Sequence, residues 1–64
     1  MYNSENNQSP KGKVKVILLD STPIAINGDI TGRMYVFRKV NDSNWVDARD
    51  VLSMKENKGL QIIY

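Results

Sequence analysis

The chain contains no cysteine and no histidine. No disulfide can staple it, and the side chains that build most zinc and copper sites are missing. The same gap removes the commonest general base and the most reactive nucleophile. Catalysis would fall to carboxylates, Lys, Ser or Tyr. We therefore expect no enzyme, no metal and no cofactor. Long apolar runs are lacking too. The longest, Val16 to Leu19, is far short of the ~20 residues that span a bilayer. The first eleven residues are polar and hold no apolar stretch of the secretory kind, so the product is expected to stay in the cytoplasm of the cell that makes it. Net charge is only +2, from nine basic and seven acidic residues, a slight excess and not the basic patch of a dedicated nucleic-acid binder.

What remains is enough for a core. The 64 residues are 41% hydrophobic, which argues against wholesale disorder. A domain this short buries only about 60% of its unfolded surface, and its core supplies roughly 3–5 kcal/mol. With no staple, assembly with other chains is the natural source of further stability.

Residues 1–11 carry Asn, Ser, Gln and Pro with a lone aromatic, Tyr2. They read as a flexible arm that could order on a neighbour through Tyr2. Residues 12–64 read as one small β domain. In Lys13–Leu19 Val14, Val16 and Leu18 share one face, and the second half is apolar on both, the pattern of a strand that enters from solvent and becomes buried. Asp20-Ser21-Thr22-Pro23 supplies a turn, and Ile24 and Ile26 share a face of a short strand. Asn27-Gly28 is a hairpin signal because both residues tolerate positive φ, and Thr31-Gly32 is a second break. Tyr35 and Phe37 share one face of the next strand, Met34 and Val36 the other. Asn41-Asp42-Ser43-Asn44 is a turn-forming loop, after which Trp45-Val46 re-enter the sheet.

Asp47 is a good helix N-cap for the N–H of Arg49 or Asp50, with Asp50 as an aspartate version of the capping-box acid and Val46 and Val51 as a staple. Ala48, Val51 and Leu52 are expected on the inward face of a helix about two turns long. Lys55 and Lys58 suit its negative end, Gly59 marks its exit, and Leu60–Tyr64 forms a closing strand. The fold expected is mainly β: a small SH3-like barrel, or a compact antiparallel sheet, with one short helix near the C-terminus.

Candidate chemistry is thin. Thr31-Gly32-Arg33 lacks the spacing of a phosphate loop, and residues 41–44 lack the order of an EF-hand. Lys11, Lys13 and Lys15 can share a strand face. With Arg33, Arg38 and Lys39 around Tyr35, Phe37 and Trp45, they resemble the platforms of small nucleic-acid-binding barrels. Tyr35 and Phe37 are, however, the two best core residues. Arg49, between two aspartates, is expected to pair locally. Trp45 is the best single hot-spot residue if an interface exists.

Gly28-x-x-Thr31-Gly32-x-x-Tyr35-x-Phe37, followed after a variable loop by Val46-Asp47-x-Arg49-Asp50-x-Leu52, resembles a block in small proteins encoded among the head and tail structural genes of tailed phages and prophages. The resemblance covers residues 14–54, with Val51 where Ala is common and Met54 near an expected second Leu. It implies a virion structural protein: a minor capsid, decoration or head–tail component, in multiple symmetric copies, that binds a larger capsid, portal or connector protein. The other reading is a small nucleic-acid-binding or host-directed regulatory module of the same fold. The expected interface residues are Tyr2, Arg33, Arg38, Asn41, Asp42, Asn44 and Trp45. Gly28, Gly32, Tyr35, Phe37, Asp47, Asp50 and Leu52 are expected to be structural.

Overall fold

A computed structural model describes residues 10–64. Tyr2 and most of the expected arm lie outside them. Pro10 and Lys11 belong to the turn that opens the first strand, where the Lys13 N–H donates to the Pro10 carbonyl. The strands are β1 (Lys13–Leu18), β2 (Ile24–Asn27), β3 (Met34–Phe37), β4 (Ser43–Asp47) and β5 (Leu60–Ile63). A 3₁₀ turn over Ala48–Asp50 runs into the short helix α1 (Val51–Lys55) between β4 and β5. The chain is mainly β, with one short helix near its C-terminus, as the residue pattern leads one to expect.

The strands form two antiparallel sheets, one in the order β4-β1-β5 and the other pairing β2 with β3. β1 lies at the centre of the first. Val16 and Leu18, expected on one face, are fully buried. They meet Phe37, Tyr35, Val46, Met54 and Leu60 in a single core cluster, with Ile24, Ile26 and Ile62 packed against it. Helix α1 packs against both β5 and β2, so one element bridges the two sheets on that side.

On the other side β3 and β4 run close together without a backbone ladder. Side chains bridge them instead. The Arg38 N–H donates to Asp42 Oδ2 at 2.8 Å, Asn44 Nδ2 donates to the Val36 carbonyl at 2.8 Å, and the Asp47 N–H donates to the Tyr35 hydroxyl at 3.2 Å. A backbone group left bare in a seam costs free energy; these bonds remove that cost where strands splay.

Three local expectations change. The loop expected at Asn41–Asn44 ends earlier, because Ser43 and Asn44 already belong to β4 and pair with Ile17 and Val16. Asn41 makes the turn, with a left-handed φ of 72°. The helix phase is also rotated. Ala48 and Leu52 face solvent, Leu52 at 71% exposure, and the buried stripe is Asp50, Val51 and Met54. The cause is the 3₁₀ turn: it has about three residues per turn, not 3.6, so a phase counted from Asp47 at α-helical period points the wrong residues inward.

The third change concerns Gly28. It closes a longer connection, its N–H donating to the Arg33 carbonyl at 2.8 Å, and the positive φ falls instead on Gly32 at 75°. Gly28 is required for space. A Cβ built there would lie 2.2 Å from the Asp50 carboxyl carbon.

Candidate functional site

The Gly28–Leu52 block assembles around one carboxylate. Asp50 is fully buried, and an unpaired charge in that position would be prohibitive. Its Oδ1 accepts from the N–H of Ile30 at 3.0 Å and of Thr31 at 3.1 Å. Its Oδ2 accepts from the Thr31 hydroxyl and, at 2.9 Å, from the Tyr35 hydroxyl. Each hydroxyl is itself an acceptor. Thr31 Oγ1 takes the Arg33 N–H at 3.2 Å, and the Tyr35 oxygen takes the Asp47 N–H at 3.2 Å. Because each hydroxyl proton is committed to Asp50 while its oxygen receives a backbone proton, the chain of bonds polarises toward the carboxylate.

Burial is the largest single influence on the Asp50 carboxyl and pushes its pKa up. The Thr31 hydroxyl and N–H, the Tyr35 hydroxyl and the Ile30 N–H together outweigh it and hold the value at about 2. Asp50 is therefore an anion stabilised by neutral dipoles, with its lone pairs taken by the protein's own groups. The capping-box role expected of it is corrected: it makes no side-chain cap bond to the helix. Cap chemistry rests on Asp47 alone, whose Oδ1 accepts from the Arg49 N–H at 2.9 Å. Arg49 pairs with the same carboxylate through Nε at 3.0 Å and Nη2 at 2.8 Å. Those bonds hold the Asp47 carboxyl far below the usual carboxylate range and raise the guanidinium.

The expected structural residues Gly28, Gly32, Tyr35, Phe37, Asp47 and Asp50 all serve the scaffold. Leu52 does not; it stands in solvent. The expected interface residues divide. Asn44 and Asp42 spend their side chains in the seam. The Asn41 N–H donates to the Leu18 carbonyl. Arg33 and Arg38 are exposed, and Trp45 is 43% exposed on the outer face of β4.

Sequence reasoning missed the pairing of that tryptophan. The β1–β4 register sets Trp45 opposite Lys15, and Lys15 Nζ lies 5.8 Å from the ring centroid. It also passed over Met34 and Val36 as surface residues. At 59% and 44% exposure they form the outer face of β3, with Ala25 of β2 paired to Val36. The alternation with Tyr35 and Phe37 was the available signal. Comparison of the chain with protein-family models, curated proteins and solved structures returns no match.

Proposed function

We propose that the protein is a non-catalytic docking module: a phage virion structural protein, of the minor capsid, decoration or head–tail kind, that binds a larger capsid, portal or connector protein in multiple symmetric copies. The observation that carries this reading is the imbalance of apolar surface. Among the described residues, nine large hydrophobic side chains are exposed, against eight hydrophobic residues that make up the buried core. Of these, Met34 and Val36 share one face of β3, and adjoining exposed apolar side chains of that kind mark interaction sites.

The two-stranded sheet is the docking face. Met34 and Val36 alternate outward along β3, and the ladder with β2 holds them on a rigid support, so little ordering entropy is lost on contact. Ile30 and Leu52, at 64% and 71% exposure, offer further apolar contacts around the Asp50-locked loop. A non-catalytic role also suits the carboxylates. With no histidine or cysteine, acid–base chemistry would fall to carboxylates, Lys, Ser or Tyr, and among the described residues the one fully buried carboxylate, Asp50, has no free lone pair to offer a substrate. The assignment to a virion rests on the resemblance of the Gly28–Leu52 block.

Mass spectrometry of washed particles from the source tests the reading. The protein is expected in stoichiometric amount in intact particles; recovery from infected-cell lysate but never from washed particles overturns it. The double variant Met34→Asp/Val36→Asp keeps the Asp50 bonds and the core intact, and is expected to fold yet fail to enter particles.

A further inference from the structure

We propose that the opposite surface, the outer face of the three-stranded sheet, binds single-stranded nucleic acid, with Trp45 as a stacking platform and Lys13 and Lys15 as phosphate contacts. The face is defined by alternation: Val16, Leu18 and Val46 point into the core, so Lys13, Lys15 and Trp45 point out. Register then sets Lys15 between Trp45 on β4 and Ile63 on β5. Its ammonium sits over the indole ring, 5.8 Å from the centroid; a base stacking on that face displaces the ammonium toward the base's own phosphate.

Lys13 lies two residues away on the same strand. That is about 7 Å along β1, a step comparable to the spacing of successive phosphates in an extended single strand. The acid in register with Lys13 is Asp47, and Arg49 already holds it bidentately. Arg49 is 66% exposed and returns a positive charge to the margin. Among the described residues neither Lys13 nor Lys15 forms an ion pair. The face therefore combines unneutralised cations with one exposed aromatic, and charge complementarity favours a polyanion with flat bases.

The burial of Tyr35 and Phe37 sharpens the site instead of removing it. Tyr35 and Phe37 belong to the core, as their strand pattern leads one to expect, which leaves a footprint of one base and two or three phosphates. Such a footprint gives weak binding from one copy and strong binding from many copies along one strand.

Trp45 is the sole tryptophan of the chain, so its intrinsic fluorescence reads this face directly. Titration of the full chain with a short oligo(dT) at low salt is expected to quench it. The observed affinity should fall with salt at a log–log slope of about −1.5 to −2, the value for two or three phosphates. Lys13→Ala/Lys15→Ala is expected to weaken binding about tenfold or more at low salt, whereas Lys55→Ala/Lys58→Ala, which removes the same charge elsewhere, should bind as the parent does. Circular dichroism checks that both fold. No quenching at low salt, or equal loss in the two double variants, overturns the proposal. So does equal affinity for duplex DNA, which cannot stack an unpaired base on Trp45. Tighter binding of a poly-glutamate peptide than of oligo(dT) would overturn it in favour of an acidic protein partner.

Discussion

Asp47 and Asp50 stand three residues apart at the start of one helical segment, and folding gives them opposite surroundings. Asp47 keeps 13% of its side chain exposed and is held by a full positive charge on Arg49. Asp50 is sealed from water and held by two backbone N–H groups and two hydroxyls. Both carboxyls are pushed toward ionisation. Asp47 gains a local bond that any helix start could make. Asp50 ties the β2–β3 connection, the β3 tyrosine and the helical segment into one unit. A charge can thus be buried without a countercharge, provided each lone pair meets a fixed dipole.

The comparison breaks most severely at Asp50. In Asp50→Ala, four donors, one buried and three part-buried, lose their acceptor at once, and a cavity is left beneath them. The variant is expected to lose its cooperative thermal transition and its amide dispersion in NMR spectra. A folded Asp50→Ala protein with near-parent melting would show that the carboxylate is dispensable. Gly28→Ala attacks the same unit from the other side, since its Cβ would overlap the Asp50 carboxyl group. Overpacking of this kind costs roughly 1–3 kcal/mol, and a domain of this size loses about 4–8 °C per kcal/mol. Differential scanning calorimetry should therefore show a drop of about 10 °C.

Acid separates the two aspartates more finely. Asp50 titrates near 2 when folded, against 3.8 ordinarily. Its contribution is present in full above about pH 5 and is lost progressively as pH falls through about 2. Asp47, also depressed, loses its contribution in the same acid range. Salt distinguishes them, because screening acts on the exposed Arg49–Asp47 pair and not on bonds from neutral dipoles. Acid unfolding monitored by circular dichroism should shift little between low and high salt in Arg49→Ala, and the residual shift in the parent measures the pair. The smallest effect belongs to Arg49→Ala itself. An exposed pair contributes little, and the Arg49 N–H cap bond to Asp47 survives the substitution. A few degrees in melting temperature at most is expected; a larger drop would move Arg49 into the scaffold.

Local chemistry carried much of the fold into view. Alternation placed Val16, Leu18, Tyr35 and Phe37 in the core, and capping preference placed Asp47 at the helical start. The role of Asp50 was hidden because its partners lie 15 to 20 residues upstream, and a cap offered a sufficient nearby explanation. Leu52 was misplaced because a 3₁₀ turn reset the phase of the helix. The proposed nucleic-acid face was half visible: its lysines share strand parity, but Trp45 meets Lys15 only once the β1–β4 register is known, and register depends on where the Asn41 turn falls.

The buried carboxylate also couples the opening of two segments. The connection from Gly28 to Arg33 closes a hairpin that could pair early from neighbouring residues alone, yet its amides find their acceptor only when the segment after β4 has docked. Those bonds span 19 and 20 residues, fewer than the 26 to 48 that join β1 to β4 and β5, so loop closure gives no reason for them to wait on the larger sheet. Asp50 therefore acts as a latch between the β2–β3 connection and the segment after β4: the two come apart together, and hydrogen exchange at the Ile30 and Thr31 amides should track that of the helical segment.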